Sequence, residues 1–117
     1  MRHVKHNGYE LYYFYCEGCE DNHSYRTAVP EGLNGVTWNF NGNLEKPTFT
    51  PSFLRNGHES IEKLKARGSN RCHLFVTNGI VEYCSDCSHS LAGQKRPLQA
   101  PRNLFIVGID DQEEKSS

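Results

Sequence analysis

No stretch of this sequence approaches the about 20 consecutive apolar residues that a membrane-spanning helix needs. Charge of one sign is lacking as well. Thirteen Lys and Arg stand against 14 Asp and Glu, a formal charge of -1, which supplies neither the basic footprint of a nucleic-acid binder nor a pull toward anionic membranes. The short basic run Lys63, Lys65, Arg67 is diluted by Glu59 and Glu62 and reads as a solvated helix face. Apolar residues are scarce, at 36% of 117, so the core is thin, and small domains with thin cores are often stapled by a metal or by disulfides. The opening MRHVKHNGYE has charge but no apolar run after it, so no signal peptide is expected. The expected location is the cytoplasm, the host's if the gene is a phage's. In that reducing compartment five cysteines, an odd count, argue against a disulfide framework and for thiolates as metal ligands. Familiar catalytic signatures are missing too: there is no HExxH, no HxE before a PCxxC and no Gly-rich phosphate loop.

What is present is β pattern. At this length one domain is expected, with residues 1–108 as a zinc-binding β domain and 109–117 as a charged tail. YELYYFY at 9–15 is aromatic and strand-like, and a second strand is expected from about Ser24 to Pro30. Cys16-Glu17-Gly18-Cys19 then sits at the tip of a hairpin. VTWNF at 36–40 alternates, with Val36, Trp38 and Phe40 on one side. PTFTPSF, bracketed by Pro47 and Pro51, predicts an edge strand or an extended loop, since Pro removes ladder donors. Ser60 to Arg67 predicts two turns of helix ended by Gly68, and LFIV at 104–107 a last buried strand. The fold class expected is mainly β, a small antiparallel sheet of hairpins stapled by a zinc knuckle, with at most one short helix.

The stretch CHLFVTNGIVEYCSDCSH, residues 72–89, carries most of the chemistry. Asn78-Gly79 between apolar residues signals a two-residue type I′ hairpin. Thr77 then faces Ile80, Val76 faces Val81, Phe75 faces Glu82, Leu74 faces Tyr83, His73 faces Cys84 and Cys72 faces Ser85. Because side chains alternate, one face carries Cys72, Leu74, Val76, Val81, Tyr83 and, with the strand continued, Cys87. Cys72 and Cys87 become diagonal neighbours, close enough to share an ion if the strand end bends inward. His73 and Asp86 fall on the opposite face.

Structural zinc takes four Cys or His ligands, often as two short-spaced pairs. Cys16 and Cys19 are one pair, and their strand-like flanks suit a zinc knuckle better than a redox CxxC at a helix start. The other half is open among three pairings: Cys72 with Cys87, Cys84 with Cys87, and Cys87 with His89. The face argument favours Cys16, Cys19, Cys72 and Cys87, with His89 as the replacement for Cys72. Cys84 and Cys87 point to opposite sides of a strand. Against all of these stands the plainer account of Cys72 and Cys84 as small buried apolar side chains.

Three blocks resemble a family of small phage and prophage proteins without a settled activity. They are Cys16-x-x-Cys19 followed by His23; Trp38-x-Phe40-Asn41-Gly42 with Pro47-Thr48-Phe49-x-Pro51-Ser52; and Cys72-His73-x-Phe75, Gly79-Ile80 and Asp86-Cys87-x-His89-x-Leu91-Ala92-Gly93-Gln94. Some members carry the label ammonia monooxygenase, which fits poorly with a chain that has no membrane span and no evident copper site. In the family pattern position 84 is typically not cysteine, which the resemblance takes as a reason to leave Cys84 out of the primary metal site.

Two functions from different classes follow. One is a non-catalytic phage accessory protein that binds a host or phage protein. The other is a small metal-dependent hydrolase with His23, His73 and His89, assisted by Asp86, around an open-coordinate ion. Trp38, Phe40, Phe49 and Phe53 read as core more readily than as a stacking platform for single strands.

Overall fold

A computed structural model describes residues 1–104. They form two antiparallel sheets. The first contains β1 (Arg2–His6), β2 (Tyr9–Cys16) and β3 (Asp21–Ala28) in that order. The second contains β4 (Asn39–Phe40), β5 (Phe49–Arg55), β6 (Cys72–Thr77), β7 (Ile80–Tyr83) and β8 (Lys95–Pro97), also in sequence order. One short helix, α1 (Ile61–Ala66), lies between β5 and β6. Ser60 caps it by accepting from the Lys63 N–H, and Gly68 follows with φ at 69°. None of the helices described is long and apolar enough to cross a membrane. The expected strand at 104–107, beyond Leu104 itself, and the tail at 109–117 lie outside the described residues.

Two hairpins close on Asn-Gly. At Asn78 and Gly79 both residues have positive φ, 50° and 77°, as a type I′ turn requires. The pairing runs Thr77↔Ile80, Val76↔Val81, Phe75↔Glu82 and Leu74↔Tyr83, the register the sequence predicts. Asn7 and Gly8 do the same between β1 and β2, with His6 paired to Tyr9. That first strand is charged and was not signalled by apolar alternation.

The sheets share one aromatic core. Tyr25 of β3 stacks on Phe49 of β5 at 4.2 Å between ring centroids, and Trp38 meets Tyr25 edge-on at 5.4 Å. Trp38 is buried as expected, but Val36 is 43% exposed and only Asn39–Phe40 pair as strand. The physical reason is that the segment crosses between sheets. The Trp38 N–H donates to the Arg26 carbonyl (2.8 Å), its indole N–H donates to the Ser52 carbonyl (3.2 Å), and Val36 O accepts from Arg26 Nε (2.9 Å).

β5 is flanked by β4 and β6, so it is not the outermost strand. It accommodates Pro51 by bulging. Pairing with β6 leaves off at Phe49↔Val76 and resumes at Phe53↔Leu74, four steps on β5 against two on β6. Bulges of this kind re-aim side chains and gather near functional sites. Ser52 lies in this one.

Candidate functional site

The first cluster is a nest of sulfur. β2 ends on Cys16, the tight turn to β3 carries Cys19, and His23 stands on β3 opposite Phe14. The Cys19 N–H donates to Cys16 Sγ at 3.4 Å, which folds the knuckle back on itself. From the other sheet, β6 alternation buries Cys72, Leu74 and Val76, so Cys72 points at the knuckle. Cys16 and Cys72 Sγ are 3.9 Å apart, with Tyr83 Oη 3.3 Å from Cys16 Sγ. Cys16, Cys19, His23 and Cys72 bring ligand atoms within 4.8 Å of one another, and so do Cys72, Cys87 and His89. Cys72 belongs to both groups.

The sulfurs perturb each other strongly. Cys16 is driven well below the ordinary thiol range by hydrogen bonds from Cys19 and Cys72, which outweigh burial. Cys87 is lowered to about 5, first by the hydrogen bond from Cys72, against burial and with help from His89. Cys72 is pushed far up by its hydrogen bonds to Cys16, Cys19 and Cys87, and Cys19 to about 12, first by its bond to Cys16. Buried thiols this close cannot all ionise without a counter-charge. A bound divalent cation would remove that conflict, because all of them could then be thiolates. The donor set therefore fits a metal ion.

Gly18 lies directly on the second group. A Cβ placed there would stand 2.3 Å from His89 Cε1 and 2.4 Å from its Nδ1. The ring is pinned, since His89 Nδ1 accepts from the Leu91 N–H at 3.2 Å and the ring meets Tyr83 edge-on at 5.0 Å. Gly18→Ala is expected to lower stability by about 1–3 kcal/mol, the usual range for overpacking, and to weaken metal retention. Urea denaturation and chelator competition measure the two effects.

The second feature lies on the opposite face of β6. His73, one residue from Cys72, points away from the sulfurs. Its Nε2 is 3.0 Å from Ser52 Oγ, and its Nδ1 is 3.1 Å from Asp86 Oδ1 and 3.2 Å from Oδ2. Ser52, His73 and Asp86 thus form a continuous hydrogen-bonded chain of hydroxyl, imidazole and carboxylate. Ser52 is 5% exposed, whereas the side chains of His73 and Asp86 are 21% and 50% exposed, so the open side of the chain is the carboxylate end. Cys84 also reaches His73 and Asp86 within 4.8 Å. Its thiol is pushed up to about 11, first by burial and then by Asp86, so it stays protonated and is a poor nucleophile.

The structure therefore sorts the residues picked from the sequence into three places. Cys16, Cys19 and Cys72 gather with His23, while Cys87 meets Cys72 and His89 in a second group and is not grouped with Cys16 and Cys19. His73 and Asp86 pair on the far face, with Cys84 beside them. His23, His73 and His89 do not converge, because each belongs to a different group. Ser52 was missed. It closes the Pro47-Thr48-Phe49-x-Pro51-Ser52 block, but only the β5–β6 register together with the bulge could have brought it to His73.

A small protein of two β-sheets, with a thiol cluster at its core and a Ser–His–Asp chain running from the buried Ser52 to the exposed Asp86, is the class these features define. A model of the family described as bacterial ubiquitination-like system serine protease (BubE) matches residues 1–84, and the chain belongs to that family. The matched stretch includes Ser52 and His73 and stops two positions before Asp86. No curated protein and no solved structure gives a significant match.

Proposed function

We propose that this chain is a serine protease of a bacterial ubiquitination-like system, with Ser52 as nucleophile, His73 as general base and Asp86 as the group that orients His73. The observation that carries the reading is the pair of contacts on one imidazole, Ser52 Oγ at 3.0 Å from Nε2 and Asp86 Oδ1 at 3.1 Å from Nδ1. Both lie within the about 2.6–3.2 Å reach that proton transfer needs. Such triads are recognised by geometry and not by order along the chain. Asp86 accepts from Nδ1–H and keeps Nε2 free of its proton. Nε2 can then take the Ser52 proton as Oγ attacks the scissile carbonyl, and return it to the departing amine or alcohol. A water activated the same way releases the acyl group. Phe75, 40% exposed and 6.0 Å from His73 between ring centroids, offers an apolar contact for the substrate beside the base. The partner on this reading is a protein substrate.

The metal is taken to be zinc, held by Cys16, Cys19, Cys72 and Cys87. A four-thiolate zinc site has no open position and supplies folding energy, not chemistry. His89 is the alternate ligand, within reach of Cys72 and Cys87; its Nδ1 accepts a backbone hydrogen bond, so Nε2 is the atom that would meet the ion. A metal-dependent hydrolase would require His23, His73 and His89 to meet, and a non-catalytic accessory role leaves the Ser52–His73–Asp86 chain unexplained.

A small fluorophosphonate is expected to phosphonylate Ser52, as located by peptide mass spectrometry, and Ser52→Ala is expected to abolish the labelling while melting as the parent does. Labelling of no serine, or unchanged labelling of the Ala variant, contradicts the assignment.

A further inference from the structure

The two halves of the site are joined by the shortest possible links. Cys72 is adjacent to His73 and Cys87 is adjacent to Asp86. On β6, alternation sends the thiol into the core and the imidazole to the open face. After Tyr83 the chain leaves the ladder of β7, so the position of Asp86 depends on what its neighbours hold. On one side the Cys84 N–H donates to His73 O (2.9 Å). On the other, the Ser88 N–H donates to Arg71 O (3.0 Å), and Ser88 Oγ accepts from the Arg71 N–H (2.7 Å). Between them Cys87 Sγ lies 3.2 Å from the His73 N–H, which donates to it, and 3.1 Å from His73 O. The sulfur thus touches the backbone of the very residue whose imidazole its neighbour orients.

We propose that Cys87 is a positioning residue for the triad: ligated to the metal it shares with Cys72, it clamps Asp86 onto His73. The proposal rests on the reading of Ser52, His73 and Asp86 as catalytic. Its physical basis is that misplacing a reacting group by about 1 Å costs on the order of 10²-fold in rate. A carboxylate on a loop of this kind keeps its place only if the loop is anchored. The metal does no chemistry here. It fixes the separation of two backbone segments, and the opposite faces of those segments carry the base and its orienting acid.

Cys87→Ser separates the clamp from the fold. Its hydroxyl has the size to keep the contacts to the His73 backbone but is a poor partner for a thiophilic metal. Cys16, Cys19, His23 and Cys72 remain as a complete set of four, so metal content and melting are expected to stay near those of the parent. The rate of Ser52 phosphonylation and kcat for an ester substrate are expected to fall about 10- to 100-fold, the usual cost of loosening groups that support a metal site. KM should change little, and the downfield Nδ1–H resonance of His73 should broaden or vanish. Parent protein that fails to label at Ser52 removes the triad reading itself. Parent that labels alongside a folded, metal-loaded Cys87→Ser that labels equally fast removes only the clamp. If Cys87→Ser does not fold, Cys87→His decides. A folded, metal-bearing His variant that regains labelling supports positioning through ligation, and one that is folded and metal-bearing yet inert overturns it.

Discussion

Asp86→Asn is expected to leave the fold intact and lower kcat about 10⁴-fold, the loss that an amide in place of the triad carboxylate produces elsewhere. The asymmetry follows from where the residue sits. Its side chain is 50% exposed on a loop, so it supports little packing, and a surface substitution of this kind usually shifts stability by no more than about 0.5 kcal/mol. Chemically the change is severe. Both carboxylate oxygens lie within 3.2 Å of His73 Nδ1, so the ionised group accepts a proton-bearing nitrogen from either side. An asparagine can turn its NH₂ toward the ring, and Nδ1 must then become the acceptor. The proton moves to Nε2, the atom that has to receive the Ser52 proton, and the base is disabled by its tautomer. Steady-state hydrolysis of an activated ester measures the effect, with circular dichroism to certify the fold. A variant that keeps its kcat would rule out Asp86 as the orienting group.

The sequence carried some of this site plainly and hid the rest, for reasons that lie in the range of the interactions. The Asn78-Gly79 turn fixes pairing locally, so the faces of Cys72 and His73 and the pairing of Leu74 with Tyr83 could be counted out from it. Cys16-x-x-Cys19 at a hairpin tip is likewise local. The Asn7-Gly8 hairpin bears the same turn signal, but β1 reads RHVKH, where apolar periodicity is lost among charges. The extension of the Trp38 strand back to Val36 failed because a hydrogen bond to Arg26, on the other sheet, diverts the backbone. Ser52 was hidden most deeply. In an unbroken ladder alternation would decide its face. In a bulge that spends four steps of β5 against two of β6, alternation is suspended. The serine is then aimed by Pro51 and by the Trp38 bond to its carbonyl, features separated in sequence from the histidine it meets.

Cys72→Ser is expected to do what neither Asp86→Asn nor Cys87→Ser does, and to unfold the domain. Cys72 is fully buried, and it alone appears in both ligand groups among the described residues. Without it the amino-terminal knuckle and the 87–89 loop no longer share a ligand, and the joint between the two sheets loses its centre. Structural zinc contributes about 10–16 kcal/mol in small zinc-finger peptides at neutral pH, comparable with the about 5–15 kcal/mol by which whole domains are stable. A chain only 36% hydrophobic has little with which to replace that. Chelation of the parent is therefore expected to produce the same collapse, seen as loss of strand signal in circular dichroism together with one equivalent of released metal. Acid should act in the same direction. Protonation of the ligand thiolates competes with the ion and releases it. Cys84→Ser supplies the contrast. That thiol is pushed up to about 11 and sits with His73 and Asp86, outside both groups that contain Cys72, and its replacement should leave metal content and melting unchanged. If Cys72→Ser instead melts with the parent and retains its ion, the sulfur cluster is not what joins the two sheets, and the aromatic stack of Tyr25 on Phe49 must hold them together unaided.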